Sequence, residues 1–469
     1  MSNTRISPAR AIAFDILLRV ATQDAYAGEL LRTRLDSTVA EDDAGLATEL
    51  TLGVLRWQRL LDYVAAHHLT KPSAALDIEV RIALRLGIYQ LSFLRVASHA
   101  AVDESVELVK RARKRSAAPL VNAVLRRFAK QFPGVAPAPL TAFASLLAPE
   151  LSPSERLAVL YSHPDWLVER WMRAFGDTRT AALLAANNSV PAISCLILDP
   201  HNREAAMASL QKAGCSIGPG RLMRSALRLR GGNPSASQAV RDGLVSIQDE
   251  ASQAVAHLLG VQAGDAVLDL CAAPGGKTLL LAKAAGARGR VLAADLHEHR
   301  VKAMAERFRQ AGVQNIESVL LDGTQPLPFD LHQGRLFDRI LVDAPCSGTG
   351  TLARHPEIRW RLTPKDLPEL HARQVHLLRN ALSYLAPRGR LVYATCSLEP
   401  EENQFVVEEA LCDGGGKFRA ISPAETLQPF LAEDIRVADL IAADGSFRTF
   451  PPDHGTDGFY GVLLEGTGA

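Results

Sequence analysis

The chain has almost no net charge: 52 lysines and arginines meet 51 acidic residues, leaving a formal +1 over 469 residues. No global field advertises nucleic acid, so any basic surface has to be local. Long apolar runs are missing as well. Nothing approaches the ~20 apolar residues of a membrane span. The apolar stretch from Ala11 to Val20 is broken by Asp15 and Arg19 and reads as an amphipathic helix, not as the core of a signal peptide. The six cysteines, at 195, 215, 271, 346, 396 and 412, include no C-x-x-C pair, and no Cys/His cluster has zinc-site spacing. That argues against a zinc fold, predicts no metal, and points to free thiols in a reducing cytosol. Internal repeats and low-complexity tracts are absent. Length alone allows about two to four domains.

What is present centres on Ala266-Val-Leu-Asp-Leu-Cys-Ala-Ala-Pro-Gly-Gly-Lys-Thr278. It reads as a buried strand, a tight Gly-Gly turn and a helix start. Pro274, Gly275 and Gly276 let the backbone turn sharply beside a ligand. A phosphate-cradling P-loop would need glycine where Cys271 stands, and the G-x-G-x-x-G dinucleotide fingerprint is also missing. An adenosyl ligand without a pyrophosphate is the remaining reading. From about residue 262 strands alternate with helices: 266–271, 290–295, 317–322, 338–343, 389–395 and a late strand at 458–465. That rhythm predicts a Rossmann-like α/β domain over 246–469, with ligands at the carboxyl ends of its strands.

The rest of the chain divides in two. Residues 1–135 carry helical apolar patterns near 28–36, 44–66, 78–95, 101–114 and 117–131 and predict an all-α domain. It holds the densest basic cluster, Lys110, Arg111, Arg113, Lys114 and Arg115, followed by Arg126, Arg127 and Lys130. A solvated helix face and a phosphate-contacting patch are both open readings. Residues 136–245 read as a Pro/Ala-rich linker, running from Pro133 to Pro153, and a small α+β adaptor with strands at 192–198 and 226–230. A helix is predicted to enter the last domain from Val245 to His257.

Five successive predicted strand ends carry an acid or a thiol: Asp269, Asp295, Asp322, Asp343 followed by Cys346, and Cys396. One such residue is usually a cap or turn former; five along one edge point to a site. Asp295 stands about twenty residues after the glycine turn, where a carboxylate accepts hydrogen bonds from ribose hydroxyls. Near helix N-termini, Cys346 and Cys396 would have lowered pKa values. An adenosyl ligand, a thiol and an acid combine in one reaction. A thiolate adding at carbon 6 of cytosine makes carbon 5 an enamine carbon that attacks an electrophilic methyl group. An acid near N3 stabilises the protonated ring. This reading assigns the chemistry to Asp343, Cys346 and Cys396 without ranking the two thiols.

These residues resemble the Nop/Sun family of S-adenosylmethionine-dependent RNA cytosine-C5 methyltransferases. The motifs are Asp269-Leu-Cys-Ala-Ala-Pro-Gly-Gly-Lys-Thr278, Asp343-Ala-Pro-Cys-Ser-Gly-Thr-Gly350 and Tyr393-Ala-Thr-Cys-Ser397, with Arg354-His-Pro-Glu-Ile-Arg-Trp360 and Glu401-Glu-Asn403. The resemblance covers essentially the full length and is to the bacterial 16S rRNA enzymes of that family, whose N-terminal domain is similar to the RNA-binding fold of NusB. It implies that Cys271, Ala272, Ala273, Pro274, Gly275, Gly276 and Lys277 wrap the cofactor, S-adenosyl-L-methionine. It further implies that Asp295 holds the ribose, Asp322 lies against the adenine, and Asp343 meets both cofactor and base. Cys396 becomes the nucleophile and Cys346 the residue that assists product release. The implied partner is 16S rRNA, naked or at an early assembly stage, with no membrane and no obligatory protein partner. Plainer readings stand beside these: Lys277 as a solvated lysine, Asp322 as a turn former, Cys271 as packing. Arg354, His355 and Arg359 are expected either to meet the RNA backbone or to form local salt bridges. The Tyr460 position, where many members carry phenylalanine, is expected to be neutral. The rivals are the same chemistry on tRNA and a non-catalytic rRNA-binding assembly factor, for which neither thiol is needed.

Overall fold

The computed structural model describes residues 6–35, 39–69, 75–132, 140–332, 334–412 and 416–467. The start of the expected linker, 133–139, lies outside them. The chain forms two compact units, one of Met1–Val190 with Leu352–Arg361, the other of Pro191–Thr351 with Leu362–Ala469. The first division, at Val190–Pro191, falls inside the stretch expected as linker and adaptor.

The first unit is helical. Its main helices run Pro8–Thr22, Ala27–Arg34, Glu41–Ala66, Ile78–Phe93, Ser98–Arg111, Ala118–Gln131, Pro153–Leu160 and Asp165–Asn188. Each turns an apolar stripe inward, and Phe14, Leu50, Leu61, Ile82, Leu86, Leu125 and Phe128 share one core. The inserted segment Leu352–Arg361 is built into this unit. Trp360 Nε1 donates to Leu55 O at 2.7 Å. The Arg359 guanidinium is fully buried and donates to Arg56 O, Ser162 O, Asn187 O and Asn188 Oδ1 at 2.7–3.3 Å. Burial pushes its pKa down to about 9. Among the described residues Arg359 forms no salt bridge: its two terminal nitrogens are spent on carbonyl and amide oxygens inside the unit, away from any RNA backbone, while its buried Nε has no partner there. In the basic cluster, Lys110, Arg111 and Lys114 pair with Glu107, Asp15 and Asp77, and Arg126 is bonded to Asn122.

The second unit opens with a small antiparallel sheet. Strands β1 (Ile193–Ile197), β2 (Ser216–Pro219), β3 (Ala226–Arg230) and β4 (Val245–Ile247) lie in the order β2-β3-β1-β4, with a helix at Arg203–Lys212. Strand β4 corrects the sequence reading. Val245–Ile247 pairs antiparallel with β1, and the helix begins only at Glu250, where the Asp249 side chain caps Ala251 N. A three-residue edge strand carries too little periodicity to be told from the first turn of the helix that follows.

The larger sheet contains β5 (Ala266–Asp269), β6 (Arg290–Asp295), β7 (Ile316–Leu320), β8 (Phe337–Asp343), β9 (Leu385–Thr395), β10 (Phe418–Ile421), β11 (Phe447–Thr449) and β12 (Phe459–Gly466). Its order is β10-β12-β9-β8-β5-β6-β7, with β11 on β12. Strands β5 to β9 pair in parallel, while β12 inserts antiparallel between β9 and β10. The parallel strands are apolar on both faces: Val267, Leu268, Ile340, Leu341, Val342, Leu391 and Val392 are fully buried. The strand order reverses direction at β5 and β8, which places the ligand crevice at their carboxyl ends. Among the described residues no helix is long and apolar enough to cross a membrane.

Candidate active site

Strand β5 stops at Asp269, and the chain turns through 270–275 into the helix Gly276–Ala285. Gly275 sits at φ +91°, and a Cβ there would lie 2.7 Å from the Phe308 ring. Both the backbone conformation and the space therefore require glycine. Asp269 is buried; its Oδ2 accepts from Thr278 Oγ1 at 2.7 Å, and Oδ1 has no hydrogen-bond partner among the described residues. Burial, with added repulsion from Asp343 and Asp295 and against the Thr278 hydrogen bond and Lys277, pushes its carboxyl up to about 7. Asp295, at the end of β6, accepts from Ala273 N at 3.3 Å and His297 N at 3.0 Å, and Ala272 N donates to Ala294 O at 2.9 Å. The end of β6 thus fastens the Ala272–Ala273 part of the loop. Arg307 holds the loop from the other side, donating to Pro274 O at 3.2 Å and Ser246 Oγ at 2.7 Å.

Asp322 accepts from Thr324 N and Oγ1, both through Oδ1, and these bonds keep its carboxyl below the ordinary range. The turn-forming reading thus holds for Oδ1, while Oδ2 takes none of these bonds. Cys271 is a resting thiol, because burial, then the neighbouring carboxylates, push its pKa far up. The surroundings fit S-adenosylmethionine. An orphaned buried carboxylate oxygen suits an ammonium group, two further strand-end acids suit hydroxyls and amino groups, and the glycine turn leaves backbone room.

Lys277 leaves the same helix start and meets the end of β8. Its Nζ lies 2.6 Å from Asp343 Oδ2 and 5.3 Å from the centre of the Phe459 ring. Burial alone would lower the pKa of this ammonium, but Asp343 more than offsets it and the net direction is upward. Lys277 is thus a partner of Asp343, not a solvated lysine. Tyr460, beside Phe459, is buried next to Arg448, 5.2 Å from its ring centre.

Beyond Asp343, Cys346 and Cys396 stand with Sγ atoms 3.4 Å apart, both as free thiols. The hydrogen bond to Cys396, then burial, holds Cys346 well above the ordinary thiol range. The expected lowering is therefore reversed at Cys346, since contact with a second sulfur and loss of water outweigh any helix-terminus effect. Gly350 N donates to Cys396 O at 2.9 Å, and Gly458 N donates to Gly350 O at 2.8 Å. A Cβ at Gly350 would sit 2.8 Å from Gly458 C and 2.9 Å from Cys396 O, so the loops after β8 and β9 interlock only with glycine there. Below them lies Glu402, fully buried and bonded to both loops. The Glu401-Glu-Asn403 motif is visible in the sequence but this contact is not; Asp269 is legible as one of the strand-end acids without a specific role, and Arg307 carries no sequence signal.

Comparison with known proteins agrees with this architecture. The chain matches the 16S rRNA methyltransferase RsmB/F family over residues 256–465, the NusB family over 7–130, and the ferredoxin-like domain of RsmF/B-like methyltransferases over 163–235. It is 34% identical over 471 residues to the ribosomal RNA small subunit methyltransferase B of Pseudomonas putida, covering 98% of each chain. It is 32% identical over 455 residues to the probable ribosomal RNA small subunit methyltransferase B of Bacillus subtilis, covering 96% of this chain and 97% of the relative. The crystal structure of PH0851 superposes with a TM-score of 0.77 at 24% identity, covering 98% of this chain and 99% of that one, a likeness of fold. With the glycine turn, the strand-end acids and the paired thiols already in place, these matches establish that the chain belongs to the 16S rRNA methyltransferase RsmB/F family of S-adenosylmethionine-dependent enzymes.

Proposed function

We propose that this enzyme methylates carbon 5 of a cytosine in 16S rRNA through a covalent adduct between Cys396 and carbon 6. The observation that carries this reading is the pair of free thiols 3.4 Å apart beyond the Lys277–Asp343 ion pair. An rRNA-binding factor without catalysis needs no such pair. Bound S-adenosylmethionine supplies an electrophilic methyl group, and Cys271 to Lys277, Asp295 and Asp322 are the residues assigned to hold it. Cys396 adds as thiolate to carbon 6 and turns carbon 5 into a nucleophile. Asp343, steadied by Lys277, stabilises the ring protonated at N3. After transfer, with S-adenosylhomocysteine as the leaving group, a water molecule acting as base takes the carbon-5 proton, the electron pair of that bond re-forms the ring double bond, and the bond from carbon 6 to Cys396 breaks to return the thiolate. Cys346 keeps its proton at neutral pH and assists this release. The target base has to be unpaired or flipped out for sulfur to reach carbon 6. In this reading, residues 1–135 and 136–245 position the RNA, and 246–469 carry the chemistry.

The test is methyl transfer from labelled S-adenosylmethionine to deproteinised 16S rRNA from a strain lacking the gene, with bisulfite mapping of the product. One new 5-methylcytosine supports the proposal. Label on another base or at another ring position, or label that moves to tRNA alone, overturns it.

A further inference from the structure

The two cysteines come from different strands, fifty residues apart in the chain, yet one carboxylate is bonded to the residue after each of them. Glu402 Oε1 accepts from Ser347 N at 2.8 Å, and Oε2 accepts from the hydroxyls of Ser347 and Ser397, the latter at 2.5 Å. Gln374 closes the arrangement. Its Nε2 donates to Glu402 Oε1 at 3.0 Å and to Pro345 O at 2.9 Å, so Cys346 is held on both sides. Glu402 is itself fixed, fully buried, with Tyr393 Oη donating to its carbonyl at 2.7 Å. Asn403 next to it donates to Ser397 O at 3.0 Å and accepts from Thr395 Oγ1 at 2.6 Å, which brackets Cys396.

We infer that Glu402 is the positioning residue of the thiol pair: its carboxylate ties the turn carrying Cys346 to the turn carrying Cys396 and thereby sets their separation. The inference rests on the covalent reading above, in which the two thiols act in sequence on one base. Glu402 touches neither sulfur through its side-chain bonds, and it acts through Ser347 and Ser397. Addition by Cys396 and release assisted by Cys346 each need a sulfur placed to a fraction of an ångström, and displacements near 1 Å cost about a hundredfold in rate. Fixing both turns through one group keeps the second thiol within reach of the adduct that the first has formed.

The experiment compares five full-length variants on 16S rRNA. Cys346→Ala is the control for the covalent reading. Glu402→Ala removes every side-chain bond, and kcat is expected to fall about a hundredfold while KM for S-adenosylmethionine stays within about twofold. Glu402→Gln keeps an acceptor for Ser347 N and Gln374 while both serine hydroxyls reverse to accept from its amide, so kcat is expected to recover to within about fivefold of the parent. Ser397→Ala frees the nucleophile's turn and lowers the rate of adduct formation. Ser347→Ala frees the other turn and leaves protein bound to RNA as an SDS-resistant band. Because Glu402→Ala removes several buried bonds at once, the serine variants, checked by thermal unfolding, carry the test independently. A Glu402→Gln variant as inactive as Glu402→Ala overturns positioning in favour of proton transfer by Glu402 itself. Serine variants with equal rates and no difference in trapped adduct overturn it too, when Cys346→Ala traps RNA. No band with Cys346→Ala, at normal turnover, makes Cys346 structural and removes the sequential use of two thiols, and the inference with it.

Discussion

Asp269 offers the sharpest physical test of the cofactor loop. Its carboxyl is buried with one oxygen unpartnered, and its pKa is pushed from 3.8 up to about 7. At about 1.4 kcal/mol per pH unit, that difference is worth roughly 4 kcal/mol, taken as an upper limit. The direction follows from which state holds the proton. Below pH 3.8 the group is protonated in both folded and unfolded chain, and its full contribution to stability is present. Between pH 3.8 and about 7 the unfolded chain has ionised while the folded one has not, and stability falls as pH rises. Above about 7 the loss is complete. In Asp269→Asn this proton linkage is gone, while Thr278 Oγ1 still finds an acceptor. The stability of the parent relative to the variant should therefore drop by about 2–3 kcal/mol between pH 5 and pH 8. Urea unfolding of both proteins without cofactor at the two pH values measures this directly. Comparing the pair cancels every other titrating group. Parallel pH profiles would refute the claim that the fold raises this carboxyl. The same substitution should weaken S-adenosylmethionine binding about tenfold to a hundredfold, as loss of a charge-assisted hydrogen bond would. Binding to the parent near pH 6.5 should release a proton, which calorimetry in buffers of different ionisation enthalpy detects.

Three further outcomes are expected. Cys396→Ala should abolish methyl transfer and leave cofactor affinity within about twofold, because the thiol adds to the base and not to the cofactor; full activity would remove Cys396 from the mechanism. Gly350→Ala should cost about 1–3 kcal/mol and depress kcat more than KM for cofactor, since its methyl would press on Gly458 and on Cys396 O. Unfolding curves and steady-state kinetics of one preparation separate the two effects. Arg359→Met should lower the unfolding midpoint of the helical unit by an amount equivalent to about 3–5 kcal/mol, because three buried carbonyls and the half-buried Asn188 amide lose their donor. A midpoint unchanged from the parent would show that those carbonyls find other donors.

Much of this protein was legible in the chain itself. Apolar runs of strand length, bounded by glycine and acids, marked β5, β6, β8, β9 and β12 within a few residues, because each is buried on both faces and carries its own hydrophobic signal. Helical periodicity marked the first unit because each helix buries one apolar stripe, which repeats at helical spacing. The glycine turn between Pro274 and Gly276, and the acids that end β5, β6 and β8, could be read because strand-end position follows from the pattern of the strand. The short strands β2, β4, β10 and β11 are not legible in the chain, since three or four residues carry too little periodicity to be told from a neighbouring turn or helix start. Pairings between distant residues belonged to the tertiary structure alone. Lys277 and Asp343 lie 66 residues apart, and Ser347 and Glu402 lie 55 apart. Arg359 follows the Cys346 loop in sequence, yet its guanidinium ends among carbonyls of the helical unit, up to 303 residues away. Local sequence encodes what each segment prefers to be. Which side chains meet depends on strand order and loop path, and these are settled by how the whole chain buries its apolar faces.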